Sequence, residues 1–207
     1  MSKTENQNMC HSASALLSYS ITYQFATQDY IFRRMLVPHI KANHQHAADT
    51  GVVKAFNSDE YAKFGLVYKE NGYWKEAEEL EVQVMEIRKR VLGAEHPDTL
   101  TSMANLASTY QKQGRWTEAE QLGVREMVIS ALGAEHPSTL TGMGNLAFTY
   151  RNQGRWKEAE ELEVQVMEIS LRVLGVEHPD TLTSMGNLAL TYEKQGRWKE
   201  AEELGFK

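Results

Sequence analysis

The sequence predicts an all-α fold, a right-handed α-solenoid of antiparallel helix pairs repeated every 40–42 residues, and three observations carry that prediction. The four tryptophans, Trp74, Trp116, Trp156 and Trp198, each follow a glycine by two positions and are spaced 42, 40 and 42 residues apart. Three of the four prolines, Pro97, Pro137 and Pro179, stand in Glu-His-Pro triplets spaced 40 and 42. Longer blocks are copied outright: Gly154–Leu162 and Gly196–Leu204 both read GRWKEAEEL, and His96–Met103 and His178–Met185 both read HPDTLTSM. A fixed period of this size marks units that bury their apolar faces against one another along an array.

Each unit divides into two helices. The first follows the Glu-His-Pro triplet, where proline suits the opening turn because its missing N–H had no partner there. Asp98 and Asp180 then set negative charge near the positive end of the helix dipole. Leu100, Met103, Ala104, Leu106, Ala107 and Tyr110 recur at helical spacing, and Gly114 closes the element. The second helix opens at the tryptophan and runs Ala159, Leu162, Val166, Ile169 and Val173 in the fullest copy, ending at Leu174-Gly175. Two departures stand out. The second unit lacks two residues between Ser130 and Leu132, about half a turn of helix, and places Glu126 where its neighbours carry Val84 and Val166. The fourth unit stops after Leu204, so the array reads as three complete units plus a truncated final one over residues 58–207. That last helix is expected to fray from Glu200 or to be covered by a second chain, with Leu188, Leu190 and Tyr192 only partly covered.

The pattern N-L-A-x-x-Y-x-x-Q-G-R-W-x-E-A-E-x-L resembles the tetratricopeptide repeat (TPR). Its small residues are Gly65, Ala107, Ala147 and Ala189 in the first helix and Ala77, Ala119, Ala159 and Ala201 in the second. Tyr68, Tyr110, Tyr150 and Tyr192 follow the first set by three. The long period and the V-L-G-x-E-H-P-D-T-L connector resemble the repeats of kinesin light chains. This likeness implies a non-catalytic scaffold that receives a protein or peptide on its concave face.

Residues 1–57 do not share the period and read as an N-terminal helical or linker segment, a possible remnant of a preceding domain. Tyr19, Ile21, Tyr23 and Phe25 alternate with polar residues, a short-strand pattern that competes with a helix through Ala13–Leu17. Asp29 can cap a helix from Tyr30, with Phe32, Met35, Leu36 and Ile40 along one side and Pro38 kinking it. Residues 47–57 read as a connector. The stretch QDYIFRRMLVPHIKAN resembles the junction ahead of the repeats in fungal NOD-like receptor-type NTPases. That resemblance implies an alternative role as a truncated, non-catalytic sensor fragment with a structural function, since the chain holds no GxxxxGK[ST] phosphate loop.

Composition narrows the chemistry. Of 207 residues, 22 are basic and 28 acidic, a net of −6. Residues 1–57 carry five Lys/Arg against three Asp/Glu, which leaves −8 on the repeats and argues against a nucleic-acid surface. The lone Cys10 excludes an internal disulfide and fits a reducing, cytoplasmic setting; it falls in a terminus expected to fray. No apolar run approaches the length of a membrane span. The histidines of the three triplets recur one per repeat, so they cannot converge on a metal, and they read as helix-entry and packing residues. His44 and His46, with His39 nearby, read as a solvated polar helix end. Glu78/Glu79 and Glu160/Glu161 recur in copies on an expected solvated face, unlike a catalytic acid/base pair. The tryptophans and Met103, Met143 and Met185 are expected in the packing core, and Asn105, Asn145 and Asn187 either bond a neighbouring repeat or meet a ligand. No cofactor, metal site or catalytic residue is expected.

One pattern points to function. Among otherwise near-identical first helices, the columns Ala104/Gly144/Gly186, Ser108/Phe148/Leu190, Gln111/Arg151/Glu193 and Lys112/Asn152/Lys194 differ and fall on a single stripe. The resemblance places that stripe on the concave face. The expected partner-binding set is Leu66, Lys69, Ser108, Gln111, Lys112, Phe148, Arg151, Asn152, Leu190, Glu193 and Lys194, with Leu66, Phe148 and Leu190 as apolar contacts. Self-association through the uncapped C-terminal end is the further partner expected.

Overall fold

The computed structural model describes residues 3–21, 27–49, 57–129, 133 and 135–205. Among them the chain is all-helical: α1 (Lys3–Ser20), α2 (Thr27–Asp49), α3 (Ser58–Glu70), α4 (Trp74–Leu92), α5 (Pro97–Lys112), α6 (Trp116–Ile129), α7 (Pro137–Asn152), α8 (Trp156–Leu174), α9 (Pro179–Lys194) and α10 (Trp198–Gly205). Contacts divide it into two compact units, Met1–Val91 and Leu92–Lys207.

In the second unit each helix packs on the next, α5 on α6 through α9 on α10, and α5 also meets α7. The triplet histidine turns out to be the cap itself. His96 and His178 each accept the N–H two residues on, from Asp98 and Asp180, at Nδ1 (3.2 Å), while Pro97 and Pro179 occupy the first turn. The helices end in the same way at Gly114, Gly154 and Gly196, whose φ of 73–78° lies in the region that favours glycine. Leu100, Met103, Leu106 and Ala107 are buried in α5, Leu140, Met143, Leu146 and Ala147 in α7, and Met185 and Leu188 in α9. Each of the buried leucine and methionine side chains stabilises the array by about 1.5–3 kcal/mol relative to an exposed position, and the alanines by less.

A second set of contacts locks successive pairs. Arg155 lies over the Tyr150 ring (4.1 Å), bonds Glu158, and reaches back to Glu120 at 2.6 Å. Arg197 repeats this with Tyr192, Glu200 and Glu160. Gln153 and Gln195 donate to the same two glutamates. Glu160 is therefore not on a solvated face as its paired spacing implied. It is half-buried and held by the following repeat, and only the second member, Glu161, is exposed. Burial pushes the Glu160 pKa up, but hydrogen bonds from Arg197 and Gln195 outweigh it and the net shift is downward.

The first unit corrects several expectations. Tyr19 belongs to α1, so the helical reading prevails over the strand; Ile21 follows the helix, and Tyr23 and Phe25 lie outside the described residues. Asp29 does not cap α2 but lies in its first turn, because the helix already starts at Thr27; Pro38 is accommodated inside it. Cys10 is not in a frayed end: it is buried with Ile21, Leu36, Val37, Ile40 and Ala47 against Phe64, Val67 and Tyr68 of α3. Nor is His44 solvated. It packs edge-on to Phe64 with ring centroids 5.6 Å apart, and burial lowers its pKa from 6.5 to about 4. Polar ties join the same helices: Arg33 Nε to Glu70 at 2.6 Å, and Lys63 Nζ to the Ser18 carbonyl at 2.7 Å. Tyr73 stands where later repeats carry the clamp arginine, and Lys41 of α2 supplies the missing cation, 3.9 Å above the Tyr73 ring and 2.9 Å from Glu76.

Two expectations fall partly outside the description. The Glu126 side chain and residues 130–132 lie outside the described residues. At the far end α10 is helical to Gly205, and Leu188 is fully covered rather than partly so, with α8 and α10 both packed on α9. Leu190 does remain 48% exposed.

Candidate functional site

Within the second unit, α7 and α9 flank a groove of about 640 Å³ floored by α8. Leu140 and Phe148 of α7 and Val166 and Val173 of α8 form its apolar wall; Asn145 and Asn187 face it from α7 and α9. Phe148 is 40% exposed yet held in place, because Trp116 packs against it in a T-shaped pair 6.2 Å between centroids. The aromatic edge-to-face contact fixes the ring without covering it.

The groove is open where α7 carries a glycine. Gly144 lies on its α7 side, and a Cβ built there would meet nothing within 4 Å. Asn145 and Asn187 also have a structural duty through their carbonyls. Gln111 Nε2 donates to the Asn145 carbonyl (3.0 Å) and to Thr149 Oγ1 (2.9 Å), and Arg151 donates to the Asn187 carbonyl (3.1 Å). The Asn145 and Asn187 carbonyls thus bond the preceding repeat, while both residues also line the groove.

Of the expected partner-binding set, the structure brings Phe148 and Arg151 into this groove. Arg151 is already engaged, its Nε 3.4 Å from Glu163. Ser108, Gln111, Lys112, Asn152, Leu190, Glu193 and Lys194 lie outside the groove's lining: Asn152 bonds the Phe148 carbonyl, and Lys112, Leu190, Glu193 and Lys194 are exposed on the last turns of α5 and α9. Leu66 and Lys69 belong to the first unit, where Leu66 is half-buried and Lys69 lies 3.4 Å from Glu81. Sequence reasoning missed Val166 and Val173, since a helical period marks them as interior and gives no sign that the facing helix leaves them open. Gly144, a glycine in mid-helix, was the available signal.

Comparison with known proteins decides the family. The tetratricopeptide repeat family model matches residues 60–125 and 138–205. The chain belongs to the tetratricopeptide repeat family. Among solved structures, the nearly identical TPR-like repeats of a Podosopora anserina candidate kinesin light chain are 31% identical over 86% of this chain and 90% of that one, with a TM-score of 0.66. A single-residue variant of that protein is 28% identical, covers 100% and 94%, and gives 0.71. BtubC (BKLC) from P. vanneervenii, 16% identical over 99% and 88% with a TM-score of 0.65, shares the fold. No curated protein shows significant sequence similarity to the chain. Tetratricopeptide repeats in general are protein–protein interaction scaffolds, and the long-period, kinesin light chain-like reading of the repeats agrees with these neighbours. Among the described residues no cluster of three or more His, Cys, Asp or Glu could hold a metal, and no helix is long and apolar enough to cross a membrane.

Proposed function

We propose that this chain is a protein-interaction scaffold whose second unit seats a peptide segment in the groove between α7 and α9. The observation that carries the reading is Phe148, an aromatic ring fixed by Trp116 but left open beside Val166 and Val173. A large apolar side chain held rigidly at a surface is the usual anchor of a binding patch. The Asn145 and Asn187 amides offer both a donor and an acceptor, which matches an extended peptide backbone. The alternative role as a structural sensor fragment of a receptor NTPase finds no supporting contact. Selection of displayed random peptides on the protein, followed by rebinding to Phe148→Ser, tests the reading. Serine occupies the same column at position 108, so the variant keeps a residue the array already uses. Loss of the selected peptides supports the groove; equal retention by the folded variant places binding elsewhere.

A further inference from the structure

We infer that the occupant of the α7–α9 groove is a basic peptide, an apolar centre flanked by lysine or arginine. The inference rests on the groove reading above and adds the chemical class of its partner. Its basis is the charge that lines the groove. The one lining arginine, Arg151, is spent: Glu163 lies 3.4 Å from its Nε, the two side chains are 13% and 4% exposed, and its Nη1 donates to the Asn187 carbonyl. A guanidinium neutralised inside the wall offers no attraction to an acidic ligand.

The negative charges, by contrast, point outward. Asp180, at the mouth of the groove, has a side chain 78% exposed. His178 sits 3.8 Å from it, and the ring nitrogen on that side, Nδ1, is used at the helix cap, where it accepts the Asp180 backbone N–H. Glu135, on the opposite lip, meets Arg172 in a pair whose members are both more than half exposed. Water competes strongly at such a pair, and an incoming cation can share the carboxylate. The apolar centre then meets Phe148, Leu140 and Val166, while flanking cations meet Asp180 and Glu135. Charges at a rim select partners and set the approach rate more than they set total affinity.

The experiment compares three labelled peptides with one apolar centre, KKLFVKK, SSLFVSS and EELFVEE, on the full chain by fluorescence anisotropy at low and high salt. The lysine peptide should bind several-fold tighter than the serine peptide, about threefold per rim carboxylate, and the preference should shrink as salt is raised. Asp180→Ser, a change that column already shows at Ser138, should remove about half of the preference on a logarithmic scale. Glu135→Gln is the second variant, since Glu135 precedes the α7 helix and takes no part in the α9 cap. Equal binding of all three peptides, lost in Phe148→Ser, overturns the basic class and leaves the groove standing. Tighter binding of the glutamate peptide overturns the inference in the same way. Binding of none of them overturns the inference together with the groove reading beneath it.

Discussion

Arg151 Nε lies 3.4 Å from Glu163 Oε1, and the repeat that lacks the carboxylate also lacks the cation. Lys69 pairs with Glu81 in the first repeat at the same distance, whereas the second has Gln111 opposite Gly123. Gln111 still reaches the next repeat's carbonyl, as Arg151 does, so only the charge has been dropped. Removing Arg151 strands the buried Glu163 carboxylate, whereas removing Glu163 leaves Arg151 its bond to the Asn187 carbonyl and removing both strands neither. Arg151→Gln should cost about 3 kcal/mol, the low end for a buried pair, and Arg151→Gln with Glu163→Gln clearly less. Denaturant midpoints of the two singles and the double give the coupling; simple additivity would show that the pair does not interact.

Burial pushes the Glu163 pKa up, against the Thr191 hydroxyl and the Arg151 charge that pull it down. The folded state therefore binds this proton more tightly than the unfolded chain. Its contribution is full below the ordinary carboxylate value of 4.5 and is lost as pH rises through the raised folded value. Glu163→Gln should accordingly be at least as stable as the parent at pH 7, and its advantage should disappear on acidification. Chemical denaturation at pH 7 and pH 4 reads this; a variant that falls behind at pH 7 would show the ion pair to be net stabilising.

His44 makes the opposite prediction on the other unit. Its folded pKa of about 4 lies below the ordinary 6.5, so the unfolded chain takes up the proton first. Stability is complete above pH 6.5 and falls between there and pH 4, by about 2–3 kcal/mol for a group this buried. His44→Phe keeps a ring against Phe64 and should flatten that slope. An unchanged slope in the variant would assign the acid sensitivity to other groups.

Gly144 and Gly123 are both helical but should respond oppositely to alanine. At Gly144 the new Cβ meets open space, so the gain in helix propensity, about 0.5–1 kcal/mol, is realised. At Gly123 it would lie 3.2 Å from Leu146 Cδ1 and 3.4 Å from Leu146 Cβ, deep in the α6–α7 contact. Crowding there cancels or reverses the gain. Thermal melts of the two variants should move apart, Gly144→Ala upward; equal rises would mean that Leu146 yields freely.

Arg197 holds the short α10 through Glu160 on one side and Glu200 on the other. A helix of 8 residues is marginal alone. Arg197→Ala should speed amide exchange across Trp198–Gly205 while leaving α7 and α8 protected. Unchanged protection of α10 would credit the packing of Ala201 alone.

How far the sequence reached is visible residue by residue. The period located every helix of the repeats, since proline, glycine and the apolar spacing act locally and need no neighbour to be read. It also singled out Phe148, an apolar side chain in a variable column, and the structure has that ring lining the groove. The reading failed where a side chain's environment is made by a distant segment. Cys10 and His44 looked exposed because nothing near them in the chain covers them; α3 does. Glu160 looked solvated because its partner, Arg197, lies a whole repeat away.

The sequence by itself determined that this is an all-helical tetratricopeptide array, because copied spacing imposes copied helices whatever the partner. Only the tertiary structure decided which charges are spent and which are offered. Arg151 and Asp180 are equally charged on paper, but one is walled in beside Glu163 and the other faces water at the groove's mouth. That distinction depends on burial and on partners a repeat away, and the strength of a charge depends on the medium and the counter-charge around it.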